Sequence, residues 1–243
     1  MKRFVALLMS ICMVALLMAG CSGGGSIEDG ANASDFPVTV GDVTLSAQPG
    51  GVAVLSDNLA DVVLALGYEI DLKARSESCT QTELKVLPVV TLDDAEQMKS
   101  LGVTLVLTEE EPTGDQKAAL QNNGITPLVL STAASRKGLQ RLYTEVASVM
   151  RGGNTGYLHG EEVAGNILTT LDDINRVIPD SNTVTTACYL YDLEGHVATG
   201  DTFCDVLFSC SGVTNAFKGE KGGEIEMDSL MRADPDYIFC SSE

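Results

Sequence analysis

Apolar positions along the chain change period several times, and each change marks an element. Residues 37–45 alternate apolar and polar around Gly41-Asp42, which predicts a short hairpin. An apolar run at 52–55 leads into Ser56-Asp57-Asn58, a set of helix-capping side chains. Leu59, Val62, Val63 and Leu66 then recur at helical spacing until Gly67 ends the pattern. A weak strand follows at 72–75, with a loop through Thr80. Asp93 or Asp94 can cap a short helix that runs to Leu101. Strands are predicted at 103–107 and 125–130, separated by a helix at 116–121 that Asn122-Asn123-Gly124 stops. Strands alternating with helices build a parallel sheet covered on both faces.

The middle of the chain differs. Leu139, Leu142, Tyr143, Val146, Val149 and Met150 form one helical stripe. After Arg151-Gly152-Gly153 a second helical pattern passes through Val163, Ile167, Leu171, Ile174 and Ile178, up to Pro179. Starting near Asn154, it would be about 37 Å long at roughly 1.5 Å per residue, enough to reach two lobes. Alternation then resumes with a strand at 183–191, a helix at 202–211, a short helix at 226–232 and a strand at 237–240. The expected fold class is α/β. Two lobes with parallel-sheet cores, at 37–152 and 180–243, are joined by one long helix at 153–179.

The first twenty residues belong to none of this. Lys2 and Arg3 precede an almost unbroken apolar run from Phe4 to Ala19, and Ala19-Gly20 places small residues before Cys21. That is the layout of a secretory signal at 1–20. The run is slightly short for a spanning helix, although an uncleaved anchor remains the alternative. Met18-Ala19-Gly20-Cys21 resembles a bacterial lipobox, which implies lipidation of Cys21. Residues 21–36, rich in Gly, Ser, Asn and Asp, read as a flexible tether. The expected location is outside the cell interior, lipid-anchored to the outer face of the cytoplasmic membrane.

Composition narrows the chemistry. A formal charge of -19 over 243 residues repels a phosphate backbone, and aromatic residues at 5% with no Trp supply little base stacking, so no nucleic-acid partner is expected. Of seven cysteines, Cys12 lies in the leader and Cys21 would carry lipid. The remaining Cys79, Cys188, Cys204, Cys210 and Cys240 are odd in number and cannot all pair within one chain. Cys188 and Cys240 sit in predicted strands that could be neighbours, or they are buried free thiols. No C-x-x-C, H-E-x-x-H, G-x-S-x-G, P-loop or G-x-G-x-x-G occurs, so no metal site, resident cofactor or catalytic residue is assigned.

Several segments together carry a resemblance. Pro37-Val38-Thr39-Val40 with Val43-Thr44-Leu45 and Pro49, the 52–67 strand and helix ending in Ala65-Leu66-Gly67, Ala198-Thr199-Gly200 with Thr202-Phe203, Gly212 and Asn215, and Asp234-Pro235-Asp236-Tyr237-Ile238 occur in a specific order and spacing. In this the chain resembles the helical-backbone, or class III, solute-binding proteins of ABC importers, which bind cobalamin, ferric siderophores, haem or metal ions. It departs from their pattern at Gly50-Gly51, where a basic residue is usual, and at Gly102-Val103-Thr104, where Lys-Pro-Asp is usual. The resemblance implies further strands and helices after the late strand, so the second lobe is expected to be incomplete at Glu243. It also implies a monomer that captures a small molecule (an iron chelate, a corrinoid or haem) and delivers it to an ABC permease.

Two exposed carboxylates would then dock on the permease: Glu96 on the first lobe and Asp228, near Glu226, on the second. Both also fit as ordinary acids at helix N-termini. Ligand contacts are expected in loops at the C-terminal ends of strands, where open α/β sheets form crevices. Those loops contain Asp57 and Asn58, residues 76–80, Glu109-Glu110-Glu111, and 191–199 with Tyr191 and His196. The bland readings are a solvated acidic loop for 109–111, a surface residue for His196, and half-buried core for Tyr191. A surface scaffold or adhesion lipoprotein, or less readily a secreted enzyme, would share the leader and tether.

Overall fold

The computed structural model describes residues 35–179 and 183–241. The leader at 1–20, Cys21 and nearly all of the 21–36 tether lie outside the described residues. The first elements are the antiparallel hairpin of β1 (Val38–Val40) and β2 (Val43–Leu45), turned by Gly41 at a φ of 54°. Next come β3 (Val52–Val54), α1 (Asp57–Ala65), β4 (Leu72–Arg75), α2 (Ala95–Ser100), β5 (Leu105–Thr108), α3 (Gly114–Asn122) and β6 (Thr126–Val129). The four strands form one parallel sheet in the order β4-β3-β5-β6.

Both faces of this sheet are covered, and strand pleat assigns each residue its side. Val52 and Val54 of β3, with Leu105 and Leu107 of β5, join one apolar cluster with Leu59, Val63, Val146 and Met150. Ala53 and Val106, one position out of step, join a second cluster with Met98, Leu120 and Ile125. Sequence runs that look uniformly apolar are thus two interleaved faces.

The chain then enters α4 (Arg136–Arg151) and α5 (Thr155–Val177). They pack as an antiparallel hairpin joined through Gly152, whose φ of 102° suits glycine. Gly156, Gly160 and Ala164 are buried along one face of α5 at four-residue spacing. A Cβ at Gly156 would lie 2.1 Å from the Ala147 carbonyl oxygen, and one at Gly160 would lie 2.6 Å from that of Tyr143. The two backbones therefore touch. At its far end α5 runs on past the first turn of α4. Asp172 accepts from Arg136 Nη2 at 2.6 Å, and Asn175 Nδ2 donates to the Cys210 carbonyl at 3.1 Å.

Beyond α5 lie β7 (Thr186–Leu190), α6 (Phe203–Cys210), β8 (Thr214–Asn215), α7 (Met227–Ala233) and β9 (Tyr237–Cys240). Their sheet is parallel in the order β8-β7-β9 and separate from the first. Its own core gathers Cys188, Leu190, Val197 and Phe217. The architecture is α/β, with one parallel sheet before and one after a long helix in the chain. At 23 residues that helix measures about 34 Å. No helix among the described residues is long and apolar enough to cross a membrane.

The departures from expectation have local causes. The strand expected at 103–107 starts at Leu105, because Gly102 turns at a φ of 80° and Val103 N donates back to Met98 O, finishing α2. β8 has two residues, too few to show a period. Asp94 is the N-cap of α2, but its carboxylate turns back to the Thr91 amide at 2.7 Å and hydroxyl at 2.8 Å. Cys188 and Cys240 do lie on neighbouring strands. They are offset by two residues, since Cys188 faces Ile238, and both are free thiols.

Candidate functional site

The C-terminal ends of β3, β5 and β6 open on the same side, where parallel sheets place their crevices. Ser56 caps α1 by accepting from Leu59 N at 3.2 Å. Its hydroxyl donates to Glu109 Oε2 at 2.9 Å, and Asn58 Nδ2 donates to Glu109 Oε1 at 2.9 Å. The Glu109 carboxylate is thus held by both oxygens against the first turn of α1, whose dipole favours negative charge there.

A cavity of about 610 Å³ lies beside this group, and both halves of the chain wall it. The first contributes Asn58, Asp61 and Glu109, the 131–134 loop after β6, and Leu139, Leu142 and Tyr143 of α4. The second contributes Tyr191, just past β7, and the 201–204 segment that opens α6. Gln81 Nε2 donates to Asp61 Oδ1 at 2.8 Å and to the Asp57 carbonyl at 3.0 Å, which fixes the Asp61 side chain. Asp201 accepts from the Thr199 hydroxyl and, at 3.0 Å, from Gly222 N; these bonds hold its carboxyl below the ordinary range. Burial, then the Asp61 charge, pushes the Tyr143 phenol up. Burial, followed by Cys204 and Tyr189, does the same to Tyr191.

Three of the five residues expected to contact a ligand reach this cavity: Asn58, Glu109 and Tyr191. Glu109 separates from its neighbours, being half-buried while Glu110 and Glu111 are exposed. Asp57, the exposed first residue of α1, does not line the cavity. Nor does His196. Its Nδ1 is taken by Asp192 Oδ2, and its Nε2 lies 3.4 Å from Glu224 Oε1. Asp192, Glu194 and His196 come within metal-ligating spacing of one another in that exposed loop, a grouping that the sequence reading did not identify. His159 packs on the Tyr68 ring, with Nε2 3.1 Å from the Leu66 carbonyl. The 76–80 loop is a turn held by the Arg75 guanidinium on the carbonyls of Ser76 and Cys79. Glu96 and Asp228 are exposed in the first turns of α2 and α7, and neither enters an ion pair among the described residues.

Sequence reasoning missed Asp61, Asp201, Phe203, Cys204 and the 131–134 loop. Asp61 was within reach, since it sits one helical turn after Asp57, beside Asn58 rather than on the apolar Val62 and Val63 face. Tyr143 reads as core from its stripe, and it is both core and cavity wall.

No protein-family model matches the chain, and no curated protein matches its sequence. Solved structures do match its fold. The periplasmic haem-binding protein HutB of Vibrio cholerae is similar at a TM-score of 0.65 and 19% identity, over 79% of this chain and 76% of that one. A periplasmic haem-binding protein from Pseudomonas aeruginosa gives 0.65 and 20%, over 80% and 73%. A possible iron-binding, periplasmic solute-binding protein from Staphylococcus epidermidis gives 0.62 and 15%, over 79% and 77%. The shared property is the fold, that of class III solute-binding proteins.

Proposed function

We propose that this protein is the extracytoplasmic solute-binding component of an ABC importer. On this reading it captures a ligand of the iron-chelate, corrinoid or haem type between its lobes and passes it to the permease. The observation that carries the reading is the 610 Å³ cavity, walled by residues from both halves of the chain at the C-terminal ends of parallel strands. The lobes are 37–152 and 180–243, the bridge is 153–179, and lipid on Cys21 tethers the whole to the outer face of the cytoplasmic membrane. Binding rather than chemistry suits the wall. Burial, and then Asp205, pushes the Cys204 thiol up, the opposite of an activated nucleophile, and neither histidine lines the cavity.

Thermal unfolding against ferric chelates, corrinoids and haemin tests the proposal. A ligand selective for the folded state at about 100 times its Kd adds roughly 2.7 kcal/mol. Saturation by any one class supports the reading, and catalytic consumption of a ligand would sink it. Glu96 and Asp228 are the proposed docking acids, since exposed rim charges steer a basic partner. The double reversal Glu96→Lys/Asp228→Lys should leave ligand affinity unchanged and abolish uptake in cells; undiminished uptake rejects both assignments.

A further inference from the structure

The charges on the cavity wall are all of one sign. Asp61 and Glu109 reach it from the first half of the chain and Asp201 from the second, while among the described residues no Lys, Arg or His lines it. Two arginines are committed elsewhere. Arg75 serves the carbonyls of Ser76, Cys79 and Leu84, and Arg136 pairs with Asp172. Lys221 acts on Asp201 electrostatically but is not part of the wall. The hydrogen bonds on these carboxylates come from neutral donors: Ser56 and Asn58 on Glu109, Gln81 on Asp61, and Thr199 and Gly222 on Asp201. Such donors stabilise the charged form without cancelling the charge. Tyr143, Tyr191 and Phe203 add aromatic rings to the same wall, and ring faces attract cations.

We infer that the cleft selects a ligand of net positive charge, an amine-bearing organic cation or chelate, and rejects anionic ones. The inference rests on the proposed solute-binding role and narrows its ligand. Charge counting separates the candidate classes. Three hydroxamates each lose one proton and leave a ferric complex neutral, so a pendant ammonium makes it cationic. Three catecholates each lose two protons and leave the complex strongly anionic, and haem carries two propionates. An anion would meet three carboxylates, with Lys221 behind Asp201 but no cation on the wall itself. A cation would bridge carboxylates on the two lobes, which otherwise repel across the opening.

The test uses the full chain and one ferric trihydroxamate in three forms: with its terminal amine free, with that amine acetylated, and with it succinylated. The acetylated form separates size from charge. Titration calorimetry should rank affinity free amine, then acetylated, then succinylated, with at least about a fivefold step per charge, and raising salt should compress the ranking. Asp61→Asn and Glu109→Gln should each reduce the step. Asp61→Asn keeps the Gln81 contact available and guards against a folding artefact. Equal affinity for the three forms, or tighter binding of the succinylated form or of haemin, overturns the charge inference and leaves the solute-binding reading standing. Failure of these chelates, haemin and cobalamin alike to bind overturns both.

Discussion

Single residues separate packing from propensity on α5. Gly160 sits where a Cβ would meet backbone at 2.6 Å, whereas a Cβ at Gly165 meets nothing within 4 Å. Gly165→Ala should therefore stabilise the protein by about 0.5–1 kcal/mol, because alanine loses less backbone entropy in a helix. Gly160→Ala carries the same propensity gain, yet it should destabilise by about 1–3 kcal/mol by forcing the helices apart. Urea midpoints for the two variants check this, and shifts of the same sign would refute it. The His196–Asp192 pair is a second residue-level case. The Asp192 carboxylate raises the imidazole pKa, while backbone amides and His196 lower that of Asp192. The His196 contribution to stability is present below its ordinary value of about 6.5 and fades as pH rises through the raised one. That of Asp192 is present above about 3.9 and fades as pH falls through the lowered one. The pair is thus strongest between roughly pH 4 and 6.5. An NMR titration of His196 should give a midpoint above 6.5 that Asp192→Asn brings down. An unchanged midpoint in the variant contradicts the assignment.

Elements are joined by two arginines of unlike worth, one at each end of α4. Arg151 is 9% exposed, bonds Asp71 at 2.7 Å, and stacks 4.5 Å above the Tyr68 ring. Removing it leaves Asp71 largely buried and unpaired, so Arg151→Met should cost about 3 kcal/mol. Arg136 pairs with Asp172 in the open, with side chains 36% and 58% exposed, and Arg136→Met should cost less than about 1 kcal/mol. Chemical denaturation of both variants tests the ranking, and equal losses would refute it. At this scale the sequence was legible wherever a period lasted. The 139–150 stripe became α4, and the weak run at 72–75 became β4 with the same bounds. It was not legible at β8, which only its pairing with β7 defines, or at the start of β5, where the bond from Val103 N back to Met98 O delays the strand.

For the whole molecule, α5 is the mechanical part. Its first half lies backbone-to-backbone on α4 and its last turn bonds the end of α6, so α5 itself is braced at both ends. Small-angle scattering with and without saturating ligand should give radii of gyration that agree within error. A clear contraction would mean that the proposed lobes close by bending or unwinding this helix.

By itself the sequence determined the alternation of strands and helices, the long central helix, the acidity and the candidate leader, because periodicity, capping and composition are local properties. It also pointed to Asn58, Glu109 and Tyr191, since strand ends in open α/β sheets are predictable sites of clefts. Only the tertiary structure decided that Glu109 is clasped by Ser56 and Asn58, that His196 is spent on Asp192, and that Asp61 and Asp201 share one cavity. Those pairings join residues far apart in the chain or choose among several local partners, and no local pattern encodes which side chains the folding of two sheets about one helix will bring face to face.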